Sequence, residues 1–182
     1  MEGWFNRGQA WGIFSTNGTV MRIQLSSTAF KEGRAIPDEH AFEDRDISPD
    51  LQWSGVPSAA KSLVLICDDP DAPKGTWVHW VLYDLTPSMN ALPADLPKSP
   101  LLDLGAKQGL NDYKRYGYGG PCPPPGKPHR YFFKLYALDV RPVLSPGLTK
   151  ADLVKVMDGH IMAEGQLMGT YQRPQASNGQ PV

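Results

Sequence analysis

The sequence predicts a mainly β protein, an antiparallel β-sandwich with a few short helices. Short stretches that alternate apolar and polar residues, or that are almost wholly apolar, recur along the 182 residues. Glycine and proline, 18 of each, separate these stretches and indicate many turns. One segment alone has a complete helix pattern with both start and stop signals. Short strands with frequent turns and few helices are typical of two packed sheets.

Six segments have strand patterns: residues 21–27, 51–56, 62–69, 76–85, 129–140 and 160–173. The first, MRIQLSS, alternates as a half-buried strand does. The third, SLVLICDD, is apolar on both faces and is therefore expected in the middle of a sheet. The last carries Gly165, where we expect a β-bulge, because a glycine inside a strand often marks one.

The convincing helix begins near Thr149. This threonine and Asp152 have the spacing of a capping box, an apolar stripe follows, and Gly159 provides a stop. A second, weaker helix is predicted near residues 101–112. Residues 87–100, PSMNALPADLPKSP, are expected to be a surface connection.

No internal repeat or domain boundary is visible, so residues 21–182 are predicted to form a single domain. Residues 1–20 have no strand pattern and are expected to be a flexible extension, and the tail after Arg173 is expected to be frayed.

Composition excludes several classes of protein. The 18 basic and 19 acidic residues leave a net charge of −1, so no nucleic-acid or anionic-membrane partner is expected. No apolar run reaches the roughly 18 residues of a transmembrane helix. The N-terminus lacks the apolar core of a secretory signal. The two cysteines, Cys67 and Cys122, do not make a disulfide framework, and free thiols in a reducing cytoplasm are the expectation.

The first candidate for chemistry lies where an apolar strand ends in Asp-Asp-Pro-Asp-Ala-Pro. Strand alternation places Asp69 on the same face as Leu65 and Cys67, so its carboxylate is held beside the core. Asp71 follows after one proline. The alternative is that these residues form only a turn, in which aspartate and proline are common.

The second candidate is His79, which shares a strand face with Trp77 and Val81. A lone histidine among apolar residues is more often a hydrogen-bonded core residue than a ligand group. The alternative is that His79 lines a ligand cleft, because tryptophans lie next to it in the sequence and aromatic walls are common in such clefts.

The third candidate is the stretch YGYGGPCPPPGKPHRYFF, residues 116–133. His129 and Tyr131 share one face at the start of an apolar strand, and Gly119 and Gly120 precede them. Glycines let backbone N–H groups approach a ligand closely, and the prolines stiffen the loop. A polyproline interaction motif is the alternative, but such motifs usually lie in exposed tails.

Together these residues describe a pocket for a small anion, because imidazole, phenol and backbone N–H groups donate hydrogen bonds. If both histidines donate as cations, affinity should fall as pH rises through about 6 to 7. The enzyme alternative is a metal-dependent hydrolase that uses the four acid and imidazole side chains, Asp69, Asp71, His79 and His129. No serine or cysteine has a nucleophile-elbow context. A third alternative is an interaction protein that inhibits a protease or kinase through the rim.

These motifs, in this order, resemble the phosphatidylethanolamine-binding protein family, also called Raf-kinase-inhibitor-like proteins, in its bacterial and archaeal branch. DDPDAPKGTWVHW is similar to the family's first signature and GYGGPCPPPGKPHRYFFKLYALD to its second. The flanking ISPDLQWSGVP and GHIMAEGQLMGTYQR also fit. The resemblance covers residues 21 to 173.

The resemblance implies a β-sandwich with a small anion cavity near one end, which takes phosphate, phosphorylethanolamine or acetate in the family. The implied ligand residues are Asp69, His79, Gly120, His129 and Tyr131. The implied rim residues are Asp71, Pro73, Trp77, Gly119 and Pro121, and the Ala72–Pro73 bond is expected to be cis. No cofactor or metal is implied. Members of this branch form homodimers, but nothing in this sequence fixes the oligomeric state.

The resemblance therefore implies a non-enzymatic binding protein that modulates a partner protein. The chain ends soon after its last strand, without the long C-terminal helix of the mammalian members. For that reason their kinase-regulating contacts are not carried over.

Overall fold

The computed structural model describes residues 20–174, so the N-terminal extension and most of the frayed tail expected from the sequence lie outside the described residues. The strands are β1 (Met21–Arg22), β2 (Gln24–Ser26), β3 (Leu51–Ser54), β4 (Ser62–Asp69), β5 (Trp77–Leu85), β6 (Ala91–Leu92), β7 (Lys107–Gln108), β8 (His129–Leu138) and β9 (Ile161–Tyr171). A short 3₁₀ helix covers Asp38–His40, and the α-helix α1 covers Lys150–Met157. Within this part of the chain, no helix is long and apolar enough to cross a membrane.

The strands form two sheets, as the predicted sandwich requires. The larger sheet has the order β1-β9-β8-β4-β5-β7, and the smaller one has the order β2-β3-β6. Every pairing is antiparallel except that of β1 with β9. The predicted mainly β class is confirmed, and β4 lies inside the large sheet, as its apolar sequence indicated.

The main core lies between the two sheets, and alternation on the long strands decides what enters it. On β4, Leu63 and Leu65 belong to this core, whereas Val64 and Ile66 belong to a second apolar cluster on the opposite face of the sheet. The helix α1 contributes to that second cluster, and β4 is therefore covered on both sides. The predicted capping box of α1 is present, with reciprocal hydrogen bonds between Thr149 and Asp152.

The first predicted strand divides into two. β1 pairs with β9 in the large sheet, while β2 pairs with β3 in the small sheet. Ile23 lies between them, is 1% exposed, and donates its backbone N–H to the carbonyl of Glu164. The chain crosses from one sheet to the other at this residue. A single alternating segment therefore contributes one strand to each sheet.

The bulge predicted at Gly165 is wrong. Gly165 pairs in regular register with Leu135, and the register shift between β8 and β9 lies at Ala137 and Leu138. A Cβ at Gly165 would lie 2.4 Å from the carbonyl oxygen of Ile23. The glycine is needed because the crossing segment between β1 and β2 passes directly over β9.

The helix predicted near residues 101–112 is also wrong, because this segment forms turns and the short strand β7. The chain reverses at Gly105, whose φ is +82°, and the buried side chain of Gln108 accepts a hydrogen bond from Trp80 Nε1. Residues 87–100 are not only a surface connection. They supply β6 to the small sheet, and Leu92 and Leu96 are buried in the core.

We expect Gly165→Ala to lower the free energy of unfolding by about 1–3 kcal/mol, because the added methyl group would collide with backbone that is held by hydrogen bonds. Gln166→Ala is the matched control, since this neighbouring side chain on β9 is exposed. Urea denaturation of the two variants and the parent measures the difference. A Gly165→Ala protein as stable as its control would contradict the close crossing.

Candidate functional site

The residues singled out in the sequence come together at one end of the large sheet. Asp69 is the last residue of β4 and pairs with Trp77, the first residue of β5. His129 is the first residue of β8, the strand on the other side of β4. The antiparallel order therefore brings the end of one strand beside the starts of its two neighbours, with a loop attached to each.

Asp69 and His129 form the central contact. The carboxylate of Asp69 is on a residue only 3% exposed, and its Oδ2 lies 2.7 Å from His129 Nδ1. Its Oδ1 accepts the backbone N–H of Asp71 at 2.7 Å. Since a carboxylate only accepts, His129 Nδ1 carries the hydrogen, and Nε2 is the ring nitrogen left for other partners.

Asp71 fixes the next loop to the start of β8. Arg130 donates to it three times, from its backbone N–H at 3.0 Å, from Nε at 2.9 Å and from Nη2 at 2.7 Å. These side-chain hydrogen bonds lower the pKa of Asp71 despite the opposing effect of partial burial. Asp71 is thus committed to an ion pair at the rim.

The Ala72–Pro73 bond, expected to be cis, is trans, and the part of the chain that the structure describes contains no cis peptide. Trans is the more stable isomer of an X–Pro bond. The turn is stabilised by the Asp69 side chain, which accepts a hydrogen bond from the backbone N–H of Asp71. Pro73 itself is exposed.

His79 is 2% exposed, and its Nδ1 lies 2.6 Å from the carbonyl oxygen of Gly119. A carbonyl only accepts, so Nδ1–H is the donor and Nε2 carries a lone pair when the ring is neutral. Burial lowers the pKa of His79, although the hydrogen bond to Gly119 and the charge of Asp69 oppose this shift. Burial of the ring therefore opposes the cationic role that the sequence suggested for His79.

Tyr131 lies two residues after His129 on β8 and is 1% exposed. Its ring meets that of His79 edge-on, with centroids 5.1 Å apart. Burial, with the nearby charge of Asp69, raises the pKa of the phenol, which therefore keeps its hydrogen. The Tyr131 hydroxyl and Trp77 Nε1 are buried and have no hydrogen-bond partner among residues 20–174. Buried polar atoms normally have partners, so these two donors indicate a place for a polar ligand or water.

The two glycines expected to offer backbone amides have other partners. Gly119 N–H donates to the carbonyl of His79 at 2.9 Å, and Gly120 N–H donates to Asp46 Oδ1 at 2.6 Å. A Cβ at Gly120 would lie 2.2 Å from the carbonyl oxygen of His40. Close packing of the loop explains the glycines, and their expected use as amide donors to an anion is not supported. Pro121, also expected at the rim, is buried.

Sequence reasoning missed Tyr113, which forms a wall of the site. Its ring stacks on Phe42 at 4.7 Å and meets Trp77 and His79 edge-on at 5.3 and 5.7 Å. Its hydroxyl donates to the carbonyl of Gly120. Tyr113 follows the segment predicted as a helix, and an aromatic residue just before a glycine-rich loop was the one available signal.

Metal ligation has little support from the arrangement of side chains. Within residues 20–174, no group of three or more His, Cys, Asp or Glu side chains is placed to hold a metal ion. Asp69 and His129 are bonded to each other, and Asp71 is bonded to Arg130. The metal-dependent hydrolase alternative therefore lacks a ligand cluster in this part of the chain.

The chain thus combines a two-sheet sandwich with an Asp–His pair, a second histidine and a tyrosine at one end. The family model for phosphatidylethanolamine-binding protein matches residues 26–172. The chain belongs to this family, as its two signature segments indicated.

Relatives from distant microbes support the assignment. A UPF0098 protein of Methanothermobacter thermautotrophicus is 46% identical over 151 residues, which cover 83% of this chain and 99% of the relative. A UPF0098 protein of Aquifex aeolicus is 47% identical over 163 residues, with coverage of 88% and 94%.

Solved structures have the same fold. A Chlamydia trachomatis protein, described as a proposed homologue of phosphatidylethanolamine-binding protein, superimposes with a TM-score of 0.77 at 44% identity. YbcL of E. coli, described as a new member of the mammalian family, also gives a TM-score of 0.77, at 32% identity. In both comparisons the match covers 84% of this chain and 99% of the other.

The lowered pKa of His79 makes stability depend on pH. The unfolded chain binds a proton at this ring below about pH 6.5, and the folded protein resists doing so. The contribution of His79 is therefore complete above that pH and is lost as pH falls toward the lowered folded pKa. We expect the free energy of unfolding of the parent to fall more steeply over this range than that of His79→Gln.

Urea denaturation in phosphate-free buffer at several pH values measures the two slopes. Imidazole ¹⁵N shifts, assigned with the same variant, report the ring directly and should show Nδ1 protonated and Nε2 bare. Equal slopes, or an imidazolium at His79 near pH 6.5, would contradict the assignment.

Proposed function

We propose that this protein is a non-enzymatic binding protein for a small anion, with phosphate, phosphorylethanolamine or a carboxylate as the ligand class. The observation that carries the proposal is the buried hydroxyl of Tyr131, which has no partner among the described residues and lies beside the Asp69–His129 pair. A buried hydroxyl without a partner costs about 1–3 kcal/mol, and a bound oxyanion would remove that cost.

The other groups at the site suit an oxyanion. Asp69 accepts from His129 Nδ1, so that His129 Nε2 is the ring atom left to contact a ligand. Tyr131 keeps its hydrogen and can donate to a second oxygen. The indole N–H of Trp77 is, after the Tyr131 hydroxyl, the second buried donor at the site without a partner in the described chain. Two unpartnered donors and a carboxylate-bound imidazole suit a compact anion.

Catalysis by a nucleophile receives no support from the hydrogen bonds. An Asp–His pair activates a nucleophile only when a hydroxyl or thiol contacts the imidazole. Among residues 20–174, no serine or cysteine hydrogen-bonds to His79 or His129. Binding without chemistry is therefore the function that the geometry favours.

The proposal includes a protein partner, such as a kinase or protease, that senses whether the site is filled. We propose Arg130 as the group that reports occupancy, because it follows His129 directly and its side chain is 52% exposed in the ion pair with Asp71. We place the protein in the cytoplasm, because Cys67 and Cys122 are free thiols that suit a reducing compartment.

Tyr131→Phe should weaken the binding of inorganic phosphate and phosphorylethanolamine by about tenfold or more, because one hydrogen bond to a charged ligand is lost. The free energy of unfolding without ligand should not fall, since the change removes a buried polar atom that lacks a partner. Isothermal titration calorimetry and urea denaturation measure the two effects.

Tyr136→Phe is the matched control. It makes the same chemical change on the same strand, but Tyr136 lies on the opposite face of β8, against the second apolar cluster. Phosphate affinity equal in the parent and Tyr131→Phe would contradict the proposed site, as would the absence of any saturable anion binding.

A further inference from the structure

We propose that the site selects oxyanions that still carry an acidic hydrogen, because His79 Nε2 acts as a hydrogen-bond acceptor for the ligand. This inference rests on the proposed function and narrows its ligand class. Near pH 6 a large fraction of inorganic phosphate and phosphate monoesters carries a P–OH group, whereas sulfate, sulfate esters and carboxylates carry no such hydrogen.

The first step is the tautomer of His79. The 2.6 Å contact with the carbonyl of Gly119 fixes the hydrogen on Nδ1, whatever the charge of the ring. Gly119 cannot shift easily, because its own N–H donates to the carbonyl of His79 at 2.9 Å. The backbone and the ring thus hold each other through two hydrogen bonds. A neutral ring in this position has a lone pair on Nε2.

The second step is that the ring stays neutral. His79 is 2% exposed, and its ring neighbours are uncharged: Tyr131 from β8 and Tyr113 from the preceding loop. The charged group that faces it is Asp69 on β4, whose two carboxylate oxygens already accept from His129 Nδ1 and Asp71 N–H. Asp68, further away on the opposite face, is paired with Lys134 and Lys150. Burial therefore prevails over these attractions, in line with the lowered pKa.

The third step is the effect on a ligand. A fully deprotonated oxyanion would bring a negative oxygen against the lone pair of Nε2, or would require the buried ring to take up a proton. A ligand with one P–OH donates that hydrogen to Nε2, while another of its oxygens accepts from the hydroxyl of Tyr131. A site built to pair with a hydroxyl rejects the analogue that lacks it, because the site's own polar atom loses its partner.

The same argument separates two sources of the phosphate group. A free phosphate monoester keeps an ionisable P–OH, with a second pKa of about 6. The phosphate of an intact phospholipid is a diester, which has no such hydrogen at any pH near neutral. The geometry at His79 therefore favours a free phosphate monoester over the headgroup of a lipid in a membrane.

Calorimetric titration of the parent protein near pH 6 tests the inference with two isosteric pairs. The pairs are inorganic phosphate with sulfate, and phosphorylethanolamine with ethanolamine O-sulfate. Both organic ligands carry the same ammonium group, so they differ in the P–OH. We expect the phosphorus member of each pair to bind about 10- to 100-fold more tightly. Glycerophosphorylethanolamine, a diester, should bind as weakly as the sulfates.

His79→Gln provides the variant arm, because a glutamine amide can present either its oxygen or its N–H group. The preference for phosphate over sulfate should shrink in this variant, even if both affinities fall. The parent titrations stand by themselves if the variant does not fold.

The outcomes distinguish the two proposals. Sulfate that binds the parent as tightly as phosphate would overturn the inference and leave the anion site intact. Failure of every anion to bind would overturn the proposed function and the inference with it. Tight binding by the diester would overturn the preference for a free monoester.

Discussion

The buried carboxylate of Asp69 is the constraint on which the site depends. A carboxylate at the end of an interior strand is costly unless its oxygens are paired, and here both are. One partner, the N–H of Asp71, shapes the following loop, and that loop then holds Arg130. The other partner orients His129. A single buried charge thereby fixes the geometry of two strand ends.

Sequence reasoning found the parts of this arrangement that follow from strand alternation. Asp69, His129 and Tyr131 could be placed because each belongs to a long strand whose inward face is plainly apolar. The same logic failed at Gln108, whose surroundings looked helical. Its side chain accepts from Trp80 and donates to two backbone carbonyls, and such long-range partners replace the helix without leaving a local pattern.

The glycine-rich loop shows a second limit. Its glycines were interpreted as amide donors for an anion, but Gly120 N–H is bound by Asp46, a residue 74 positions earlier in the chain. Tyr113 was missed for the same reason, since its contacts with Trp77 and Phe42 arise only after the loops fold together. On strands, alternation in the sequence predicts which way each side chain faces. On loops, the orientation of a side chain depends on contacts with residues far away in the sequence.

The two histidines of the site have different environments, and the residue types alone do not reveal this difference. Nδ1 of His129 donates to a carboxylate, whereas Nδ1 of His79 donates to a backbone carbonyl, and burial lowers the pKa of His79. Tyr131 lies beside this pair with its hydroxyl unpaired within the described chain, at a cost to the stability of the folded protein. A ligand that satisfies the donor and the acceptor together removes this cost and binds only the folded state, so it stabilises the fold in proportion to its fit. In the proposed site, anion binding and the stability of this end of the sandwich are therefore linked, and the arrangement of hydrogens, more than charge, would decide which anion fits.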